Sequence, residues 1–314
     1  MALAALALLI ENLVGYPKWV FATLRHPVQW FGKLIEFLDD RLNNAAHSES
    51  KQRNNGILAV IILCVLVAIP STLIAYALSL LPYGWVLNVF LATVFIAQKS
   101  LRDHVAAVDT ALGISVESAR MEVAKIVGRD PNSLDKNDIA KAALESLAEN
   151  TSDGVVAPAF WYAVAGLPGI AIYKAINTAD SMIGHKSAKH LHFGWASARL
   201  DDVVNLPASR FTGFLFTAAA LLQSRQSAIS AWRTMWRYAG KHASPNAGWP
   251  ETAMAGALGL KFGGPRSYDG KPLDLPWMGD GKSPEPLDIN RGLVLADQAG
   301  LLLAAALLTL AIVL

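Results

Sequence analysis

The chain has 314 residues, 53% hydrophobic and 17% charged, with a positive mean hydropathy. Soluble domains carry about a quarter charged residues, so the composition points to a lipid bilayer as its surroundings. A net charge of +2 without a dense Lys/Arg run excludes nucleic acid as a partner, and a single cysteine, Cys64, excludes an intrachain disulfide or a paired-cysteine metal site.

Residues 1–10 are apolar and lack the basic flank of a cleavable signal, so they read as a retained membrane or interfacial helix. Residues 57–81 hold no charge over twenty-five positions, and about 20 apolar residues suffice to cross ~30 Å of hydrocarbon. Pro70 falls mid-span, where a kink is tolerated. Leu81-Pro82-Tyr83-Gly84 forms a turn, and residues 85–97 run back, giving a transmembrane hairpin over 57–97. Its tip is uncharged, whereas its base carries Lys51, Arg53, Lys99 and Arg102, which places the base in the cytoplasm.

Residues 100–149 read as cytoplasmic helices. Ser100 caps the first, where Leu101, Val105, Val108 and Leu112 recur at helical spacing. A second starts at Ser115, carries Val116, Ala119, Val123 and Ile126, and stops at Gly128. Arg129-Asp130-Pro131 is a turn, and Asn137 or Asp138 caps a third helix that runs through Leu147 into Glu149. Two imperfect apolar segments follow. Residues 155–176 contain Pro158, Gly166, Pro168 and Gly169; residues 203–222 contain Asn205, Pro207 and Arg210. If both cross, the loop between them faces outward; if neither does, everything polar up to Arg291 is cytoplasmic. Lys186, Lys189 and Arg199 in that loop favour the second arrangement. Residues 223–291 are polar and rich in Gly, Pro and Trp, and a C-terminal membrane helix spans 293–314. The expected fold is all-α: one multi-pass integral membrane domain with broken or re-entrant helices and cytoplasmic helical segments. Residues 150–210 form its active-site core and residues 241–291 a polar, motif-bearing segment.

Polar clusters adjoin the apolar segments. In the first, Glu149-Asn150-Thr151-Ser152-Asp153-Gly154, Glu145 and Glu149 share a helix face, and acids at a helix C-terminus oppose its dipole. Ser152 and Asp153 have a structural alternative as caps of the next helix. The second is Asn177-Thr178-Ala179-Asp180-Ser181. The third holds Arg199, Asp201, Asp202 and Asn205, hard oxygen and amide groups of the kind that bind Mg2+ with a phosphate, weighed against simple capping by either Asp. The fourth, around Ser244, Asn246 and Trp249, does not by spacing name a reaction. Gly281-Lys282-Ser283 imitates the end of a phosphate-binding loop, but Pro276 stands where its first Gly is required. His185, His190 and His192 fit no standard metal spacing and read as surface residues or phosphate contacts.

Taken in order, these runs resemble the CobD/CbiB family, membrane-bound adenosylcobinamide-phosphate synthases of cobalamin biosynthesis. The likeness includes Glu149 to Pro158, Asn177 to Gly184, Phe193-Gly194-Trp195, Ala198 to Asp202 and Asn205. Upstream it extends through His26-Pro27-Val28, Ser100-Leu101-Arg102 and Ile126 to Asp130. Downstream it takes in Ser244 to Pro250, Met254 to Leu258, Gly263-Gly264-Pro265 and Trp277 to Gly281. Tyr16 and His185 depart from the usual Asp and Tyr.

The resemblance implies an ATP-dependent ligase joining adenosylcobyric acid to aminopropanol phosphate through an amide, with the adenosylcorrinoid as substrate rather than cofactor. Glu149, Asp153, Asp201 and Asp202 are then the catalytic and Mg2+-binding acids. Asn150, Asn177 and Asn246 would hold corrin amides. Arg199 would take the amine's phosphate, with Arg129 and Lys186 as weaker candidates. Ser152, Asp180, Ser181, Asn205, Ser244 and Trp249 complete the substrate-binding set. Expected partners are the lipid bilayer, a second copy of the chain as a homodimer, and other cobalamin-pathway enzymes, with the protein in the inner membrane and its site facing the cytoplasm. The competing readings are a corrinoid transporter, a scaffold for pathway enzymes, or a Mg2+-dependent lipid phosphotransferase.

Overall fold

The computed structural model describes residues 1–16, 26–128, 131–185, 187–268, 271–273 and 275–313. They are overwhelmingly helical and fall into two compact units, Met1–Ala97 with Ala157–Asn205 and Leu307–Leu314, and Gln98–Val156 with Leu206–Ala306.

The first unit begins with α1 (Ala2–Val14), α2 (Pro27–Leu42) and α3 (Glu49–Ser79). Pro27 opens α2, where its missing N–H costs nothing, and His26 Nδ1 accepts from the Val28 N–H at 3.2 Å. Ser48 caps α3. Gly56, Ala59, Leu63, Val67 and Ser71 recur every three or four residues as its buried stripe, while Ile61, Val65, Ile69 and Leu73 are exposed. A helix apolar on its exposed face as well suits lipid rather than water. The predicted turn follows, with Tyr83 at φ 62°, and leads into α4 (Gly84–Thr93).

The second unit takes up the chain with α5 (Gln98–Leu112), α6 (Val116–Val123) and α7 (Lys136–Thr151). One π-helical turn, Ser152–Val156, carries α7 directly into α8 (Ala157–Ile183), which belongs to the first unit. Within the first unit, α8 packs on α1, α2, α3 and α4. Gly166 breaks it at φ 62°, ψ −155°, just ahead of Pro168, a conformation for which glycine pays no Cβ penalty. The break predicted for 155–176 is therefore present. Then α9 (Trp195–Gln223) gives its start to the first unit and its remainder to the second. The second unit is completed by α10 (Arg225–Tyr238), α11 (Gly248–Leu258), short antiparallel pairs of β1 (Phe262–Gly263) with β4 (Trp277–Met278) and β2 (Arg266–Tyr268) with β3 (Lys271–Leu273), and most of α12 (Asp288–Val313).

Four helical runs among the described residues are long and apolar enough to cross a membrane: Glu49–Ser79, Gly84–Leu112, Lys136–Ile183 and Asp288–Val313. The chain is an all-α membrane protein. The two broken segments part company here, since the run containing 155–176 meets the length and composition of a span and α9, containing 203–222, is not among the four.

Several predicted boundaries are corrected. Ser100 lies inside α5, where its hydroxyl faces His104 Nδ1 at 3.4 Å, rather than capping it. Asp135, not Asn137 or Asp138, caps α7, its Oδ1 accepting from both of their N–H groups at 2.9 and 2.8 Å. Ser115 does cap α6, but that helix ends at Val123, short of Gly128. No helix ends at Glu149. The π turn keeps the run intact, so the argument from an unfavourable dipole does not apply there. Asp201 and Asp202 sit almost two turns inside α9, so neither caps it. Arg129 and Lys186 lie outside the described residues.

A close backbone contact in the first unit joins α3 to the segment between α8 and α9. A Cβ on Gly56 would sit 1.9 Å from the Phe193 carbonyl oxygen, so the two backbones meet only through glycine. Gly240, by contrast, has nothing within 4 Å of its Cβ position. Gly56→Ala is expected to lower stability by at least ~2 kcal/mol, the scale of forced backbone displacement in a packed core, and Gly240→Ala by well under ~1 kcal/mol. Thermal denaturation in detergent checks the pair, and equal melting temperatures would refute the contact.

Candidate functional site

In the first unit the second and third polar clusters converge where α8 meets the start of α9. Asp201 is buried with 8% of its surface exposed. Its Oδ1 accepts from Asn177 Nδ2 at 3.3 Å and its Oδ2 from Asn205 Nδ2 at 2.9 Å. Tyr173, also buried, donates its hydroxyl to Asn205 Oδ1 at 2.8 Å, and Lys174 Nζ reaches Asn177 Oδ1 at 3.4 Å. Trp161 Nε1 donates to the Val204 carbonyl at 3.1 Å, pinning the same two helices. Helical periodicity explains the convergence. Tyr173, Asn177 and Asp180 lie four and three residues apart on α8, and Asp201 and Asn205 four apart on α9. Asp201 is thus a carboxyl held by two amides rather than by a base. Burial, then the charge of Asp180, raises its proton affinity, the two amide donors oppose that rise, Asp202 adds to it, and the net effect pushes the pKa up to about 7. Asp202 is half-buried and pairs with exposed Arg199 at 3.3 Å. The Ser181 hydroxyl turns back to the Asn177 carbonyl at 2.9 Å, which makes it a helix-surface contact.

The remaining predicted residues belong to the second unit. Glu149 and Asn150 are exposed at the end of α7, and Asn150 Nδ2 donates to the Ser146 carbonyl at 2.9 Å. Ser152 and Asp153 occupy the π turn, a geometry found often at functional sites. Ser152 is 1% exposed, and its Oγ has no hydrogen-bond partner among the described residues. The fourth cluster meets the second half of α9. Buried Asn246 accepts through Oδ1 from Arg210 at 2.8 Å and from Ser209 Oγ at 3.1 Å. Arg210 lies 4.9 Å over the Trp249 ring, and Ser244 Oγ takes the N–H groups of Asn246 and Ala247 at 3.2 Å each. Sequence reasoning treated Arg210 only as an interruption of an apolar segment, and it missed Ser209, Tyr173 and Lys174. The spacing 201, 205, 209 was the available signal for Ser209, since it continues one stripe along α9.

The predicted metal acids are divided, with Glu149 and Asp153 in one unit and Asp201 and Asp202 in the other. Among the described residues no three His, Cys, Asp or Glu side chains gather as metal ligands. A nucleotide-borne Mg2+ takes only one or two carboxylates and otherwise keeps phosphates and waters. Asp202, half-buried beside Asp201 in the first unit, offers a carboxylate of that kind. The histidines do other work. His190 Nε2 and Lys189 Nζ both approach Asp39 Oδ2, at 3.3 and 2.6 Å, and His192 lies 3.7 Å from Glu49, tying the segment after α8 to α2 and α3.

The family described as "CobD/Cbib protein" matches residues 4–296. The chain belongs to the CobD/CbiB family. Relatives named "Cobalamin biosynthesis protein CobD" include one from Sinorhizobium sp, 48% identical over all of this chain and 98% of its own length. One from Rhizobium meliloti (strain 1021) is 47% identical over 89% of this chain and 86% of the relative, and one from Rhodobacter capsulatus is 45% identical over 95% and 93%. No solved structure matches.

The raised proton affinity of Asp201 carries a sign for stability. A carboxyl whose folded pKa lies above its unfolded value stabilises the fold fully below the unfolded pKa, and that contribution is lost as pH rises through the folded one. The window here runs from about 4, the usual carboxyl value, to about 7. Asp201→Asn, which keeps the shape and cannot ionise, is expected to flatten the fall in melting temperature between pH 5 and pH 7. It should be at least as stable as the unaltered protein at pH 8. Parallel pH profiles for the two proteins would show that Asp201 is not the buried acid responsible.

Proposed function

We propose that the protein is an adenosylcobinamide-phosphate synthase of cobalamin biosynthesis, joining adenosylcobyric acid to aminopropanol phosphate at the cost of ATP. It works in the inner membrane with its site facing the cytoplasm, where ATP is available. Family membership supports the pathway. The single observation favouring amide formation is the Asp201 carboxyl, buried between two amides and poised near neutral pH.

A carboxylate and an ammonium ion do not condense in water. The carboxylate oxygen of the corrinoid acid attacks the terminal phosphorus of ATP, giving an acyl phosphate and ADP. The free amine then attacks the acyl carbon, the new C–N bond forms, and inorganic phosphate leaves. The amine must first lose a proton, and a carboxylate with a pKa near the working pH is suited to accept it. Asp201 takes that role, with Asn177 and Asn205 orienting its two oxygens and Tyr173 fixing Asn205. Magnesium, which would neutralise the phosphates of ATP when bound, would be held in the first unit by Asp202. In the first unit Asn177 is assigned to a corrin amide and Arg199 to the amine's phosphate. A transporter or scaffold needs no proton acceptor of this kind, although a broken membrane helix such as α8 is found in transporters as well.

The test measures ATP consumption and adenosylcobinamide phosphate by purified protein in nanodiscs. ATP should be consumed only when both adenosylcobyric acid and aminopropanol phosphate are present. Asp201→Asn should fold normally and lose at least about a hundredfold in rate, ~2.7 kcal/mol of transition-state stabilisation. ATP use without the corrinoid acid would point to a phosphotransferase. No ATP use at all, with corrinoid still bound, would point to transport or scaffolding.

A further inference from the structure

In the second unit, α10, the end of α11 and the turn at Asp280-Gly281 flank an open pocket of about 380 Å3, lined by groups that the proposed chemistry does not use. Gln226, Ser230, Arg233, Thr234 and Arg237 line it from α10. Their spacing of three and four residues makes one stripe, ~16 Å long at 1.5 Å per residue. Ile229 lines the pocket from the same stripe, and each of the other five can donate a hydrogen bond. The lining holds one carboxylate, Asp280, which is already engaged by Arg237 at 3.1 Å and by the Tyr238 hydroxyl. Arg233 has no carboxylate partner among the described residues, so the cavity carries a surplus guanidinium.

The opposite wall is made of backbone. Gly259 adopts φ +69°, and a Cβ on Gly281 would lie 2.0 Å from the Gly259 carbonyl oxygen. Gly256 lets α11 approach α10 so closely that a Cβ there would lie 2.7 Å from the Ser230 carbonyl oxygen. Gly281, which the sequence pattern set aside as part of an incomplete phosphate loop, therefore lines this pocket beside an arginine with no carboxylate partner among the described residues. A planar guanidinium with hydroxyl and amide donors around it matches a phosphoryl group in charge and in hydrogen bonding.

We propose that this cavity is a phosphate-binding subsite, in which Arg233 receives the phosphoryl group of a substrate. The two sources considered, a small phosphate ester and a nucleotide, follow from the ligase reading; the subsite itself does not depend on it. Arg233 is exposed, and replacing it leaves no buried partner unmatched, so its variants retain the fold.

Equilibrium binding to the full chain in detergent is measured with inorganic phosphate, ATP and aminopropanol phosphate as separate probes. Arg233→Gln is expected to weaken at least one probe tenfold or more, Arg233→Lys to weaken it less, and Arg225→Gln, outside the lining, to leave all three unchanged. Selective loss of ATP assigns the subsite to the nucleotide, and selective loss of aminopropanol phosphate to the amine substrate. Inorganic phosphate binding that depends on Arg233, with neither ATP nor aminopropanol phosphate bound, retains the subsite and removes the ligase reading. Undiminished binding of every probe by Arg233→Gln, or no binding of any probe by the unaltered protein, overturns the proposal.

Discussion

A carboxyl group that has lost most of its water must be neutralised, paired or richly hydrogen-bonded, and Asp201 meets that demand with amides alone. Asn177 comes from α8 and Asn205 from Asp201's own helix, so satisfying one side chain locks the register of two helices. Tyr173 extends the lock by holding Asn205, and Trp161 repeats it on the backbone of α9. A lysine in the place of Asn177 would hold the carboxylate ionised. Amides hold its geometry while leaving its protonation close to balance, which is the property a proton acceptor requires.

The same economy appears elsewhere in the chain. Gly56 lets α3 touch the Phe193 carbonyl, and Gly166 breaks α8 without a steric penalty. The π turn at Ser152–Val156 lets the chain go on past α7 without ending the helical run. Polar residues are thereby presented at helix contacts and at irregular backbone, where a membrane protein can tolerate them, rather than along lipid-facing stripes. In the second unit Arg210 obeys the same rule, its charge spread over Asn246, Ser209 and the face of Trp249.

The spans were legible because their signal is local. Residues 57–81 exclude charge over a length that only a bilayer requires, and Gly166 with Pro168 announces a break wherever it falls. Helix starts were legible where the capping residue stands alone, as at Ser115, and misread where several candidates crowd together, as at Asp135, Asn137 and Asp138, because only geometry decides which oxygen reaches the free N–H groups. The run through Glu149 was missed because a π turn has no composition of its own. The pairing of Asn177 with Asp201 could not be read directly, since nothing within either segment sets the rotation of α8 against α9. Arg233 stayed invisible because its meaning depends on a carboxylate already claimed by Arg237 more than forty residues away.

The central physical claim is that Asp201 stays protonated in the resting protein well above the usual carboxyl range. Difference infrared spectroscopy of the protein in nanodiscs, titrated from pH 5 to pH 8 beside Asp201→Asn, tests it directly. The predicted result is a protonated-carboxyl band still present at pH 6, fading through about pH 7 and missing from the Asn protein at every pH. A band already absent at pH 6 in the unaltered protein, or one that persists in Asp201→Asn, would contradict the claim.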